Sequence, residues 1–136
     1  MCYFLYGAIN EGINSEDYKK ATKGFDYHFN IGDMQKVNAC VKLCNDDYRI
    51  THKCCDCETA IGQGNVNNKE LKEFETLLKN LKTVRGIKYV LLSKNWWEET
   101  NTKLQVEYIK DIDIPQFLAN VEDNCLYKIE MYPKYY

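Results

Sequence analysis

The sequence has no surplus of basic residues, no apolar run long enough to cross a bilayer and none of the common nucleotide or hydrolase motifs, and each absence closes a class of function. Lys and Arg number 18 against 20 Asp and Glu, for a formal charge of −2. Proteins that neutralise strings of phosphates need the opposite balance, so no nucleic-acid partner is expected. The cations Lys69, Lys72, Lys79, Lys82, Arg85 and Lys88 are interleaved with Glu70, Glu73 and Glu75, as on the solvated face of a helix. The apolar opening, residues 1–9, is too short to span a membrane and carries neither a basic leader nor a cleavage pattern, which predicts a cytoplasmic protein with no membrane association. G-x-G-x-x-G, P-loop, G-x-S-x-G and H-E-x-x-H patterns are all missing, and with them the markers of dinucleotide, nucleoside triphosphate, serine-hydrolase and zincin chemistry.

What remains is a chain of ordinary globular composition, 45% hydrophobic and 28% charged, with no repeat or linker, so residues 1–136 are expected to form a single domain. Residues 2–9 read as a buried strand. Asn14 or Ser15 can cap a short helix that ends before Gly24, and Phe25, Tyr27 and Phe29 alternate with polar residues as in a second strand. Asp33 can open a helix holding Met34, Val37, Val41 and Cys44, and residues 48–53 have strand composition. Leu71, Phe74, Leu77, Leu78 and Leu81 form one apolar stripe behind an Asn67/Glu70 capping box. The apolar run at 87–92 predicts a central strand leading to Trp96-Trp97, one indole for the core and one for the rim. Leu104, Val106 and Tyr108 mark a half-exposed strand, Asp113 with Pro115 starts a short helix, and residues 125–132 alternate again to close the sheet. The fold class is α+β or α/β: a mixed β-sheet of about five to six strands packed with about three to four helices.

Sulfur is what the chain has in excess. It has seven cysteines, an odd count that in a reducing compartment points to ligands, redox groups or core residues rather than a disulfide framework. Three crowd into Cys54-Cys55-Asp56-Cys57, two residues after His52. Thiolate and imidazole are the donors that zinc prefers, so His52, Cys54, Cys55 and Cys57 are candidate metal ligands, with Cys40, Cys44 and Cys2 as additional donors. In an extended chain His52 and Cys54 face one way while Cys55 and Cys57 face the other, so all four converge only if the backbone turns. The same Cys54/Cys57 pair is a C-x-x-C redox candidate, but no helix follows to lower the pKa of the first sulfur. Two nucleophilic readings stay open: Cys2 as a processed N-terminus, and Cys57 with His28 or His52 as base and Asp26 or Asp56 as orienter. Cys2, Cys40, Cys44 and Cys125 also fit the role of small buried hydrophobes.

The start Met1-Cys2-Tyr3-Phe4-Leu5-Tyr6, the run Cys55-Asp56-Cys57 with glycines beyond it and the strand into Trp96 together resemble a loose set of small uncharacterised bacterial proteins. The resemblance implies no activity, but it suggests Cys2, Cys55 and Cys57 as a spatial group. The expectation is therefore a protein whose cysteine cluster binds a metal such as zinc, or a partner. A cysteine-dependent enzyme or thiol redox protein is one alternative, and an interaction protein without a thiol site another. Eleven tyrosines leave room for a protein partner or a homo-oligomer.

Overall fold

The computed structural model describes residues 2–32, 46–97 and 99–132. In chain order these residues form β1 (Tyr3–Ile9), α1 (Ser15–Thr22), β2 (Asn30–Ile31), α2 (Lys69–Leu81), β3 (Tyr89–Trp96), β4 (Lys103–Tyr108), α3 (Ile114–Ala119) and β5 (Cys125–Glu130), with short 3-10 turns at Asp46–Tyr48 and Ile109–Asp111. The strands make one mixed five-stranded sheet in the order β2-β1-β3-β5-β4. β3 is antiparallel to both β1 and β5, while β2 and β4 run parallel to their single neighbours at the two ends. The expected α+β class holds.

Alternation along the strands divides the core in two. Leu5, Ile9, Val90, Leu92, Tyr127 and Ile129 face the helices, where they meet the α2 stripe of Leu71, Phe74, Leu77, Leu78 and Leu81. Tyr6, Ala8, Leu91 and Leu126 form a smaller cluster on the other face, beneath Phe4, Tyr48 and Tyr89. Because β3 is covered on both sides, Val90 through Asn95 are all buried, which is why its sequence starts as a continuous apolar run.

Four local expectations are corrected. Residues 25–29 are not a strand: the Phe29 N–H bonds the Tyr18 hydroxyl (2.8 Å) and the His28 N–H bonds the Ile50 carbonyl (2.9 Å), so only Asn30 and Ile31 pair with β1. Residues 48–53 are not a strand either. They follow a 3-10 turn, touch β1 through a single Tyr6–Arg49 bridge and an Ile50 N–H to Leu5 carbonyl bond (3.1 Å), and then give way to the cysteine loop. Third, β5 does not close the sheet; it lies inside, and β4 is the edge, with Leu104 and Val106 exposed rather than turned inward. The helix expected from Asp33, with Cys40 and Cys44, lies outside the described residues.

The fourth correction concerns Glu70. Asn68, not Asn67, caps α2 by accepting the Glu70 N–H (2.8 Å), and the Glu70 carboxylate turns away from the cap. It accepts the Thr59 hydroxyl (2.7 Å), the Ala60 N–H (2.9 Å) and the Tyr27 hydroxyl (3.0 Å), tying two separate segments to the first turn of α2. Burial, with that carboxylate beside it, pushes the Tyr27 phenol well above its ordinary pKa, so it remains a donor. Glu70→Ala is expected to lower the urea unfolding free energy by about 1–3 kcal/mol, since three donors lose their acceptor.

Gly86 follows α2, which ends at Leu81. It has φ +87°, and a Cβ placed on it would run into the Gly12 carbonyl. Gly86→Ala is therefore expected to cost about 1–3 kcal/mol, read as a fall in thermal midpoint.

Candidate metal centre

One edge of β1 pairs fully with β3, but β2 reaches only Ala8 and Ile9 on the other. The first half of that second edge would be left with open backbone groups, and the loop of residues 50–57 fills it. Tyr3 takes both ends of the contact: its carbonyl accepts the Asp56 N–H (2.9 Å) and its N–H donates to the Cys57 Sγ (3.3 Å). Two residues further along, the Leu5 N–H donates to Asp56 Oδ2 (2.8 Å).

Asp56 is the anchor. It is 3% exposed, and besides Leu5 it binds the Thr51 hydroxyl (2.5 Å) and the Arg49 guanidinium (3.3 Å). Arg49 in turn donates to the Lys53 carbonyl (2.7 Å) and lies over the Phe4 ring at 4.5 Å. A buried carboxylate is tolerable only when its oxygens are fully engaged, and these three partners achieve this.

With Asp56 drawn inward, its neighbours Cys55 and Cys57 are left toward the surface beside Cys2, which immediately precedes β1. Cys2 is placed independently, by the Trp97 N–H on its carbonyl (2.8 Å). Tyr3 is held as well: the Trp96 ring meets it edge-on at 4.7 Å, Lys94 Nζ stands 4.8 Å from its ring centre, and its hydroxyl donates to Asp123 (2.9 Å). The three sulfurs of Cys2, Cys55 and Cys57 all lie within 4.8 Å of one another. Zn–S bonds of about 2.3 Å in a tetrahedron set sulfurs about 3.8 Å apart, so side-chain rotation alone could bring this group to a metal.

The electrostatics of the group are unequal. The Cys57 N–H, then the Cys2 and Cys57 side chains, hold the Cys55 thiol below its ordinary pKa, while the Cys2 thiol is pushed up, chiefly by Cys55 and then by burial. Of these two thiols Cys55 is the one whose thiolate, the form a metal ligand takes, is favoured.

Among the described residues, the other candidates are not part of this sulfur group. Cys54 is exposed and outside the group. His52 lines a groove of about 490 Å³ with His28, Asp26 and Tyr27, and His28 Nε2 is engaged with Asn30 Oδ1 (2.8 Å). Cys125 is buried in the core, where burial pushes its thiol up. Cys40 and Cys44 fall outside the described residues. Asp56, which the sequence offers only as an orienter for a nucleophilic Cys57, instead anchors the loop; its signal was an acid between two cysteines in an alternating run, the one position of the three that faces the protein. No protein-family model, curated protein or solved structure matches the chain.

Proposed function

We propose that this protein binds a thiophilic metal ion, zinc foremost, through Cys2, Cys55 and Cys57. The observation that carries the reading is the approach of three sulfurs from two distant parts of the chain, held by the same backbone bonds that complete the edge of β1. Three protein ligands leave one position of a tetrahedron for water, a substrate or a further donor, which is the pattern of exchangeable rather than purely structural zinc. The hydrophobic core is extensive without a metal, so the ion is not needed for folding. Thiolate ligands require reduced sulfur, which suits the cytoplasm.

Metal analysis of freshly purified protein, alongside thiol titration with and without a chelator, tests this. One zinc per chain and three thiols unmasked by the chelator support the proposal. A metal-free protein with one hyper-reactive sulfur would favour thiol redox chemistry instead, and metal-free, uniformly slow thiols would leave an interaction protein.

A further inference from the structure

β4 is an edge strand. It pairs with β5 alone, from Lys103↔Cys125 to Tyr108↔Glu130, and its outer edge has no strand partner among the described residues. Such an edge presents a row of backbone donors and acceptors to any extended chain, and proteins usually blunt it with charge, proline or a bulge. β4 is not blunted in that way. Its sequence, Lys103-Leu104-Gln105-Val106-Glu107-Tyr108, has no proline, and its two charges, Lys103 and Glu107, are of opposite sign, with Lys103 also reaching Glu122 at 2.6 Å. Leu104 and Val106, 39% and 43% exposed, lie bare on the face shared with Leu126.

We propose that β4 pairs antiparallel with β4 of a second copy of this chain, giving a two-fold dimer with one continuous ten-stranded sheet. The occupant follows from the strand's self-complementarity. In a two-fold pair, residues that oppose each other must share a sheet face, which restricts the register to a few choices. Placing Gln105 on the axis sets Lys103 opposite Glu107 of the second copy, and Glu107 opposite its Lys103, on one face. On the other face Leu104 meets Val106 twice, merging the bare aliphatic residues of both copies into one row. Opposite charges and aliphatic pairs directly across an antiparallel ladder are both favourable. Shifting the axis to Val106 loses both charge pairs and sets Lys103 opposite the buried Ile109, so the Gln105 register is favoured. The Lys103–Glu122 pair does not compete strongly, because both side chains are half exposed or more.

The test is sedimentation equilibrium of the full chain over a wide range of protein concentration, with circular dichroism to confirm that each variant folds. The unchanged protein is expected to reach dimer mass. Lys103→Glu and Glu107→Lys singly place like charges opposite each other and are expected to weaken association at least about tenfold, while the double reversal restores it. Val106→Lys, a folded variant with a charge in the aliphatic row, is expected to be monomeric. A monomer at every concentration overturns the proposal, as does a dimer that both single reversals leave unchanged. Because the thiol group takes no part, these outcomes are independent of metal content.

Discussion

Cys55→Ser is expected to lower zinc or cadmium affinity more than about 100-fold, since even the loss of an outer-shell partner of a metal ligand costs about 10–100-fold. Cys57→Ser should match it, and Cys2→Ser should do the same although residue 2 lies more than fifty positions away in sequence. Cys54→Ser is the internal control: it changes the same short loop, removes an exposed sulfur outside the group, and is expected to leave the affinity within a few fold. Competition against a chromophoric chelator, followed for cadmium by the sulfur-to-metal charge-transfer band, measures all four. Equal losses at Cys54 and Cys55 would show that the ligands are selected by the loop alone. Affinity should also fall as pH is lowered, because protons compete for the sulfurs that the metal requires as thiolates.

Asp56→Ala is expected to be the most destabilising change in the cysteine loop. The carboxylate is buried, and its removal strands the Leu5 N–H, the Thr51 hydroxyl and the largely buried Arg49 guanidinium together. Breaking a buried ion pair from one side typically costs about 3–5 kcal/mol, and denaturant unfolding should register a loss of that order. Asp56→Asn retains an acceptor and nearly the same shape, so its cost should be distinctly smaller. The two variants also separate stability from geometry. Where Asp56→Asn folds, its metal affinity reports how far the three bonds to the Asp56 carboxylate position Cys55 and Cys57, because the sulfurs themselves are unchanged.

Strands and helices with strong periodicity were legible in the sequence because one physical cause dominated each. The α2 stripe and the apolar start of β3 are direct prints of burial on one face and on both. Residues 25–29 misled because their alternation is real but serves packing: Tyr27 stands against Phe74 edge-on at 4.9 Å and Phe29 is buried, while the backbone finds partners outside any ladder. Residues 48–53 misled for a related reason, since the edge they approach is shared with the Asp56 carboxylate, which no propensity scale anticipates. Glu70 likewise satisfied a capping pattern in sequence and met stronger partners in space. At the site, the parity of an extended chain separated Cys55 and Cys57 from His52 and Cys54, whereas the arrival of Cys2 beside them is a product of tertiary pairing. Pattern within a segment is readable before folding, while proximity between segments is not.

X-ray absorption at the zinc edge of the loaded protein bears most directly on the three-sulfur centre. The expected first shell is three sulfurs at about 2.3 Å with one lighter oxygen or nitrogen neighbour, and it should fall to two sulfurs in Cys2→Ser. A shell of two sulfurs or fewer in the unchanged protein, or one indifferent to the loss of Cys2, would contradict the grouping of Cys2 with Cys55 and Cys57.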